Sequence, residues 1–318
     1  MMDSIKINSH AKVNLSLRVV GKRADGYHDI LSFMQGVGLH DVLEIKNCTP
    51  NATKYNLPHC NIKGIVVYLC TDVETIPTDM SNLALKGIEA VANAASNNPQ
   101  ISERLPKALL LNIEKKLPVA AGLAGGSANA ASCMLGLNAM IGSPFSLREL
   151  MGMGAKVGAD VPFSIFMNAY RNASVLNGLK GIEEARDSAM TEGIGDVVTP
   201  RESVARYVIL ANPGTVTSTK EAYRAMDEIG FDEDPADKDE LFINDFEAYT
   251  LKADEDAAAL HKLLLAEAGA EEVLMSGSGP TLAAYYKNED KAREAFERLL
   301  KLTENNSRIR MWLSNTGI

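Results

Sequence analysis

Cysteine is scarce in this sequence, and the spacing of the few cysteines argues against two kinds of site. The 318 residues include four cysteines, and no two of them form a Cys-x-x-Cys pair. They are Cys48, Cys60, Cys70 and Cys133. Zinc sites and redox pairs use that short spacing, and disulfide frameworks belong mainly to small secreted domains. The pattern therefore favours reduced, structural thiols over zinc ligands or disulfides.

Long apolar runs and an excess of positive charge are also absent. No stretch is apolar for long enough to span a bilayer, and residues 1–6 show no secretory pattern. Lys and Arg number 32 against 41 Asp and Glu, which gives a formal net charge of -9 at pH 7. Such a charge repels nucleic acid and anionic membranes. We expect a cytoplasmic protein without nucleic-acid or membrane partners; the sequence leaves open whether it is a monomer or a weak dimer.

The usual nucleotide-binding signatures are missing from the most glycine-rich stretch, residues 117–131. No lysine lies between Gly122 and Asn129, so the stretch is not a Walker loop. Its Gly-x-x-Gly-Gly spacing also differs from the Gly-x-Gly-x-x-Gly of dinucleotide-binding folds. Any phosphate bound here must therefore be held by backbone groups, a metal ion or a distant cation.

The same stretch nevertheless has the composition of an anion cradle. Gly122, Gly125 and Gly126 can direct successive backbone N–H groups at a ligand, because glycine reaches positive φ cheaply. Ser127 then fits as the N-cap of a following helix, whose N-terminus attracts anions. A glycine-rich turn before a helix is as often a purely structural feature, so the stretch alone leaves both interpretations open.

Apolar periodicity predicts an α+β protein of two domains. Apolar residues alternate from Ile5 to Val19 and again from Leu109 to Ile113, which predicts strands. Ser146 and Glu149 form a capping box, and Gly158 suits the end of the helix that they begin. Further strands are expected at residues 206–211, 272–275, 282–286 and 309–313, and helices at 81–96, 127–140, 147–157, 219–229, 255–268 and 289–302. The strands outnumber parallel crossover units, which favours α+β over a doubly wound sheet.

Five short segments of the sequence, two pairs and a single one, together carry a family resemblance. They are residues 11–15 with 24–28, residues 118–131 with 158–163, and residues 276–281. In order and spacing they resemble the GHMP small-molecule kinases. The resemblance implies an α+β fold of two domains: a ribosomal S5 domain 2-like, ATP-binding domain over residues 1–168, and a ferredoxin-like substrate domain over residues 169–318. It places the active site in the cleft between these domains.

The resemblance also implies a reaction. Within the family the chain is most similar to members that use ATP and Mg²⁺ to phosphorylate the 2-hydroxyl of a cytidine diphosphate-linked methylerythritol, in the non-mevalonate (MEP) route to isoprenoids. The residues implied to hold ATP are Pro118, Ala120, Ala121, Gly122, Leu123, Ala124, Gly125, Gly126 and Ser127, with Ser127 also as a contact of Mg²⁺. The alternatives are another small-molecule kinase of the superfamily and a non-catalytic nucleotide-binding protein on the same scaffold.

Two charged residues are the implied catalytic pair. Asp160, in Gly-Ala-Asp-Val-Pro, matches the carboxylate that orients the acceptor hydroxyl and takes its proton. Lys12 matches the cation that pairs with this carboxylate and meets charge on the transferred phosphoryl group. Without the resemblance, Asp160 is more typical of a turn or helix cap, and Lys12 of a solvated strand lysine.

The remaining implied residues bind substrate. They are Asn14, Tyr27, His28, Thr219, Tyr223, Gly277 and Ser278. Asn14 lies two residues after Lys12 and so on the same strand face. Tyr27 stacks on cytosine and His28 reads its polar edge, although His28 alone also suits a turn. Tyr223 is the second stacking aromatic or a core residue of its helix, and residues 276–279 form a second nest of N–H donors, a tight hairpin turn, or both.

The sequence departs from the family pattern at two places. Ala124 and Ala128 stand where many members carry glycine and serine, which keeps the loop compact but removes a hydroxyl. Residues 167–187 separate the Val-Pro-Phe segment from the family's next motif. We interpret them as an inserted surface hairpin or helix at the domain junction, where extra length is tolerated.

Overall fold

The structure is a computed structural model, and it describes residues 2–50 and 57–317. The strands are β1 Ser4–Lys22, β2 His28–Asn47, β3 His59–Ile62, β4 Ile65–Thr71, β5 Ala108–Glu114, β6 Ser188–Gly193, β7 Val197–Pro200, β8 Arg206–Asn212, β9 Ile243–Asn244, β10 Glu272–Met275, β11 Leu282–Tyr286 and β12 Arg310–Thr316. The helices are α1 Leu83–Ser96, α2 Pro99–Ser102, α3 Gly125–Met140, α4 Leu147–Gly154, α5 Val161–Arg171, α6 Thr219–Ile229, α7 Glu247–Ala253, α8 Glu255–Glu267 and α9 Glu289–Thr303.

The described residues form two compact units, each built from three segments of the chain. Unit 1 lies within residues 1–11, 40–118 and 124–187, and unit 2 within residues 12–39, 119–123 and 188–318. The long strands β1 and β2 each contribute residues to both units. The two units are interleaved along the chain, whereas the expected domains are two consecutive segments. The units therefore do not correspond to these domains, and the boundary expected between residues 168 and 169 stays a prediction.

Unit 1 contains a β-sheet and helices α1 to α5. The C-terminal part of β2 pairs antiparallel with β5, β5 pairs parallel with β4, and β4 pairs antiparallel with β3. Leu109, Leu111 and Ile113 of β5 are all buried, as their alternation predicts. The predicted strand at this position is therefore confirmed.

Helix α3 is buried on nearly all sides, which small residues make possible. A Cβ atom on Gly87 of α1 would lie 2.4 Å from the backbone oxygen of Ala130, and one on Gly136 would lie 2.7 Å from a methyl of Ile45. The glycines therefore let α3 approach both α1 and the sheet closely. At the N-terminal end of this core, the Ser9 hydroxyl donates to the side-chain oxygen of Asn129 over 2.9 Å.

Helices α4 and α5 show where local signals succeeded and failed. The capping box of Ser146 and Glu149 is present with both of its bonds, but α4 ends at Gly154 rather than near residue 157. Helix α5, Val161–Arg171, is not predicted by the sequence, in which the pattern loosens after residue 166. Pro162 stands in its first turn, where a missing N–H costs nothing.

Residues 167–187 are not a surface insertion as expected. Residues up to Arg171 complete α5, and the segment that follows includes a 3-10 turn, Ile182–Glu184. Leu176, Leu179 and Ala185 are buried in unit 1. The segment thus supplies apolar side chains to the core of unit 1. The sequence does not reveal this role, because glycines and charged residues separate these apolar residues.

Unit 2 is dominated by antiparallel pairing and helices α6 to α9. Its strands run in the order β10, β11, β8, β12, and the N-terminal part of β2 pairs with β6, which pairs with β7. Strand β9 joins β1 in parallel through Ser16 and Ile243. The helices at 219–229, 255–267 and 289–303 bury one face in a common core and match the predicted ones to within a residue or two at their ends. The α+β class is confirmed.

No helix within residues 2–50 and 57–317 combines the length and the apolar character needed to cross a membrane. The four cysteines carry free thiols, and burial raises the pKa of the Cys133 thiol far above its ordinary value. A thiol kept protonated in this way is unreactive. The structural role expected for this cysteine agrees with its position in the core of α3.

Candidate active site

The glycine-rich loop has an unusual backbone. Ala120, Gly122 and Ala124 have φ values of 53°, 75° and 54°, so positive φ alternates with ordinary residues between them. Alternation of this kind turns successive N–H groups toward one side and makes an anion-binding nest. Two of the three residues are alanines, for which the left-handed region costs energy. Strain of this kind often marks a functional site.

Helix α3 begins at Gly125 with Ala124 as its N-cap, so the expected N-cap role of Ser127 is wrong. The first intrahelical bond joins the Ala128 N–H to the Ala124 oxygen over 2.8 Å. The N–H groups of Gly125, Gly126 and Ser127 therefore precede the helical ladder, and no described side chain caps them. The Ser127 hydroxyl, released from capping, is half-buried in the first turn of the helix.

Gly122 has a packing role that the sequence did not reveal. A Cβ atom at this position would lie 2.2 Å from the backbone oxygen of Ser276 and 3.0 Å from that of Gly279. The Ser276 hydroxyl also donates to the Gly122 oxygen over 3.0 Å. Backbone therefore packs directly on backbone between the two glycine-containing segments of unit 2, and any side chain at 122 would separate them.

Lys12 is the first member of a buried polar row in unit 2. Lys12 is 3% exposed, and its ammonium donates to the Asn14 side-chain oxygen over 2.6 Å. The Asn14 amide nitrogen donates to the Ser32 hydroxyl over 2.8 Å, and that hydroxyl donates to the Ser16 backbone oxygen. The expectation that Lys12 and Asn14 share a strand face is confirmed. Burial also rules out the alternative of a solvated strand lysine.

The segment between β10 and β11 is a tight hairpin turn, as one interpretation proposed. The Ser276 N–H donates to the Thr281 oxygen, and the Gly279 N–H donates to the Ser276 oxygen. The Gly277 N–H donates to the Asn14 side-chain oxygen over 3.0 Å. The amides of Gly277 and Gly279 thus have partners inside the protein. A second nest of donors in this segment stays a prediction.

Ser278 and Thr219 lie together beside this turn. Their hydroxyl oxygens are 2.8 Å apart, and the Thr250 hydroxyl donates to the Ser278 backbone oxygen. The Asn244 amide donates to the backbone oxygens of Met275 and Gly277. The turn is therefore fixed from several sides, and two hydroxyl groups predicted to bind substrate are brought together by it.

His28 and Tyr223 also meet in unit 2. Their rings stack with centroids 4.9 Å apart and planes 20° apart, and Tyr223 contacts Phe246 edge-on. His28 Nε2 lies 2.8 Å from a carboxylate oxygen of Asp227. The contact with Phe246 agrees with the core role considered for Tyr223. Its stacking on the base stays a prediction.

Tyr27, by contrast, is 61% exposed. Its backbone N–H donates to the Asp25 side-chain oxygen across a turn that contains Gly26 at φ 87°. An exposed aromatic ring on a short turn is available for stacking with a ligand. The structure thus places Tyr27 and His28 as chain neighbours with opposite environments, one open to solvent and one packed.

Asp160 lies at the N-terminus of α5 in unit 1. It occupies the N-cap position, yet its side chain makes no capping hydrogen bond. The alternative of a capping residue is therefore not supported. Helix α5 is fixed against β1 by two amide side chains: Asn168 accepts from the His10 N–H over 2.8 Å, and Asn172 bonds to both the N–H and the oxygen of Asn8.

The far end of α5 is held by an ion pair. Arg171 contacts both carboxylate oxygens of Asp187, and both side chains are largely buried. A bidentate pair of this geometry orients as well as stabilises. Together with the amide bonds to β1, it fixes the helix that carries Asp160.

Comparison with known proteins identifies the family. The description "GHMP kinases N terminal domain" matches residues 82–168, and "GHMP kinases C terminal" matches residues 232–305. The 4-diphosphocytidyl-2-C-methyl-D-erythritol kinase of Alkaliphilus metalliredigens (strain QYMF) is 32% identical, over 94% of this chain and 93% of its own. The enzyme of the same name from Lachnoclostridium phytofermentans is 33% identical, over 93% and 92%. The chain belongs to the GHMP kinases, among the 4-diphosphocytidyl-2-C-methyl-D-erythritol kinases.

The fold of this GHMP kinase agrees with a solved structure. A crystal structure of 4-(cytidine 5'-diphospho)-2C-methyl-D-erythritol kinase has a TM-score of 0.70 and 24% identity, and the match covers 99% of this chain and 100% of that one. At that identity the likeness shows the fold alone. The predicted resemblance, the GHMP kinase fold and the assignment as a small-molecule kinase are confirmed.

The predicted site residues of this GHMP kinase are divided between the two units. Unit 2 contains Lys12 and the residues assigned to substrate, whereas unit 1 contains Asp160 and the start of α3. Within unit 2 the structure brings Lys12 together with Asn14 and Gly277, His28 with Tyr223, and Thr219 with Ser278. The pairing of Lys12 with Asp160 stays a prediction.

The sequence analysis missed two polar residues that the structure connects to this site. Ser32 continues the buried row from Asn14, and Asp227 contacts His28. Ser32 gave no signal, because its partner lies on a neighbouring strand. Asp227 had a weak one, since it follows Tyr223 by four residues and so lies on the same face of α6.

Proposed function

We propose that this GHMP kinase transfers the γ-phosphoryl group of ATP to the 2-hydroxyl of 4-diphosphocytidyl-2-C-methyl-D-erythritol. The names of the curated relatives support this acceptor. The observation that carries the proposal is the burial of Lys12, a residue that is 3% exposed and whose ammonium bonds to the Asn14 side-chain oxygen. Burying a cation is costly, so a fold that keeps one at a strand centre points to charge chemistry there.

The segment 118–127 binds the phosphates of ATP in this proposal. Its support is the alternation of positive φ at Ala120, Gly122 and Ala124 and the uncapped N–H groups at the start of α3. A helix N-terminus with free N–H groups attracts anions. Pro118, Ala121 and Leu123 complete the segment; Ala121 and Leu123 are buried, and the Leu123 oxygen accepts from the Lys12 N–H.

Mg²⁺ fits the residues present, although no described group of three or more His, Cys, Asp or Glu side chains forms a ready metal cage. Mg²⁺ bound with a nucleotide keeps several waters and uses few protein ligands besides the phosphates. The Ser127 hydroxyl, which caps no helix, is available as one such ligand. The ion would neutralise charge on the phosphate oxygens.

The reaction needs a base and a cation. The acceptor 2-hydroxyl oxygen bonds to the γ-phosphorus while the bond from this phosphorus to the bridging oxygen of ADP breaks, and the hydroxyl proton goes to the Asp160 carboxylate. Lys12 offsets the charge on the transferred phosphoryl oxygens and pairs with Asp160. The hydrogen bond to Asn14 fixes the ammonium in position.

The cytidine end of the substrate is assigned to the aromatic residues of unit 2. The exposed ring of Tyr27 stacks on the base, and His28 hydrogen-bonds to its polar edge. Tyr223 lies against His28 and contributes the second aromatic surface. The hydroxyls of Thr219 and Ser278 lie 2.8 Å apart and are available to a polar part of the same substrate.

Replacement of Asp160 by Asn tests this proposal. We expect turnover of 4-diphosphocytidyl-2-C-methyl-D-erythritol to fall by about 10²- to 10⁴-fold, because an amide cannot take the hydroxyl proton. The circular dichroism spectrum and ATP affinity should stay unchanged, since the side chain caps no helix. Asp290→Asn, in the exposed first turn of α9, is the matched control and should leave the rate unchanged.

Two results would contradict the proposal. If Asp160→Asn keeps the wild-type rate, Asp160 has no part in proton transfer. If the wild-type enzyme phosphorylates homoserine, mevalonate or galactose as fast as the cytidine-linked alcohol, the acceptor is wrong. Steady-state measurement of kcat/KM for each acceptor at a fixed ATP concentration separates these outcomes.

A further inference from the structure

Asp227 and Lys22 determine the surroundings of one nitrogen of His28. His28 Nε2 lies 2.8 Å from Asp227 Oδ1, and Lys22 Nζ lies 2.7 Å from Asp227 Oδ2. Hydrogen bonds from Lys22 and His28 lower the pKa of the Asp227 carboxyl below its ordinary value. The carboxylate is therefore ionised at neutral pH and can only accept hydrogen bonds.

The His28 ring is held in one orientation. Its side chain is 6% exposed, Tyr223 stacks on it, and Phe231 contacts it edge-on with centroids 6.3 Å apart. A 180° flip of the ring would keep the stacking but would replace Nε2 by a carbon beside Asp227, so the contact with Asp227 selects one of the two flipped orientations. The hydrogen on Nε2 is thus set by a fixed acceptor rather than by solvent.

The other nitrogen of His28 has no protein partner among residues 2–50 and 57–317. In a neutral imidazole with its hydrogen on Nε2, Nδ1 is a hydrogen-bond acceptor. The described side-chain atoms that are buried without a partner do not include His28 Nδ1, so this nitrogen is accessible from outside the protein. A ligand group that donates a hydrogen bond can therefore reach it.

We propose that Asp227 is a positioning residue that holds His28 in the Nε2–H tautomer, so that Nδ1 selects cytosine over uracil. Cytosine carries an amino donor at C4, whereas uracil carries a carbonyl acceptor there. The first satisfies Nδ1 and the second repels it. The proposal rests on the proposed function, because it assumes that the base lies against His28.

The expected selectivity follows from the different binding free energies of cytosine and uracil beside Nδ1. A site built to bond one polar group discriminates strongly against an analogue that leaves its own group unpaired. We expect wild-type protein to bind CDP at least about tenfold more tightly than UDP. Stacking on Tyr27 and Tyr223 does not contribute to this ratio, since it tolerates every base.

Asp227→Asn reverses the polarity at Nε2 with little change in shape. Lys22 donates to the outer oxygen of residue 227, so it selects the amide orientation in which oxygen faces Lys22 and nitrogen faces His28. The amide then donates to Nε2, which forces the hydrogen onto Nδ1. Glu228→Gln is the matched control, because it removes the adjacent carboxylate of α6, which is 72% exposed and lies 3.9 Å from Arg224.

The test combines nitrogen NMR with calorimetry on the full chain. Spectra of ¹⁵N-histidine protein, with His28 assigned from its loss in His28→Gln, report the tautomer. Calorimetry measures CDP and UDP binding in the presence of a saturating non-hydrolysable ATP analogue. We expect the Nε2–H tautomer in wild type and Glu228→Gln, the Nδ1–H tautomer in Asp227→Asn, and a CDP-to-UDP affinity ratio at least about tenfold lower in Asp227→Asn.

Either of two results overturns the proposal: an Nδ1–H tautomer in the wild-type protein, or a CDP-to-UDP ratio in Asp227→Asn within twofold of wild type. A purely structural role for Asp227 would weaken both ligands equally and leave the ratio unchanged. Neither measurement needs turnover. Wild-type protein that prefers CDP and has the Nε2–H tautomer but phosphorylates no cytidine-linked alcohol would therefore contradict the proposed function alone.

Discussion

Several residues of the candidate site in this protein also have a structural role. Gly122 was selected from the sequence for its place in an anion cradle, yet it is also the point at which backbone packs on the oxygens of Ser276 and Gly279. Lys12 likewise belongs to a buried row that includes Asn14 and Ser32. The residues assigned to the reaction are thus held by contacts that exist without a ligand.

Gly122→Ala should destabilise the protein strongly. The new Cβ atom would lie 2.2 Å from a backbone oxygen, and φ 75° is unfavourable for alanine. The left-handed conformation costs about 1–2 kcal/mol and overpacking adds about 1–3 kcal/mol, so we expect a loss of about 2–5 kcal/mol in the free energy of unfolding. Urea unfolding followed by circular dichroism measures it.

Gly64→Ala is the control for this substitution. Gly64 has φ 84°, and a Cβ atom there would meet nothing within 4 Å. It should therefore show only the conformational cost of about 1–2 kcal/mol. Equal losses at positions 122 and 64 would contradict a packing role for Gly122.

At the scale of elements, local signals set helix starts when they involve side chains that bond to the backbone. The box of Ser146 and Glu149 placed the beginning of α4 correctly. Helix α3 has no such signal, because its N-cap is Ala124 with φ 54° and no capping side chain. Its start was therefore expected two residues too late, at Ser127.

Ser146→Ala should shorten or destabilise α4. We expect a loss of about 1 kcal/mol at pH 7, as for other N-cap serines. Hydrogen bonds from the Ser146 hydroxyl and its backbone N–H lower the pKa of Glu149 below its ordinary 4.5. A depressed carboxyl pKa contributes stability that is present above pH 4.5 and is lost as pH falls through the folded value. The cost of Ser146→Ala should therefore shrink toward pH 3.

Urea unfolding at pH 7 and near pH 3 gives the two costs. Ser218→Ala provides the control, because Ser218 caps α6 by accepting from the Glu221 N–H, and among residues 57–317 the Glu221 side chain makes no bond back to Ser218. Its cost should depend less on pH. An equal cost of Ser146→Ala at both pH values would show that the ionised Glu149 adds nothing to the cap.

At the scale of the whole molecule, each unit takes segments from distant parts of the chain. Unit 1 extends to residue 187, and its last segment supplies Leu176, Leu179 and Ala185 to the core. Arg171 and Asp187 form a largely buried ion pair in the same unit. A domain that ended at residue 168 would lack these apolar residues and this ion pair.

A fragment of residues 1–168 should accordingly be less folded than one of residues 1–187. We expect lower helix content by circular dichroism and faster limited proteolysis for the shorter fragment, because it lacks the apolar side chains and the ion pair that close unit 1. Arg171→Met in the longer fragment separates the contribution of the ion pair. Equal protease resistance of the two fragments would contradict a structural role for residues 169–187.

The residues of the candidate site could be proposed from the sequence because they lie in segments that carry the family resemblance. The glycine stretch, Lys12 with Asn14, and Asp160 before Val-Pro are recognisable without a structure. Helix α5 could not be predicted, since it is held by amide bonds from Asn168 and Asn172 to β1, some 160 residues away in the chain. Asp227 was also missed, because its significance depends on His28 and Lys22, which lie on other elements.

The sequence by itself determined the α+β class, most helix and strand positions in unit 2, and the family, because these follow from periodicity and from motifs within short stretches. Only the tertiary structure decided which backbone groups are already bonded, as at Gly277 and Gly279, and which polar side chains are buried, as at Lys12. Hydrogen bonding and burial depend on residues far apart in the chain, so no local pattern contains them.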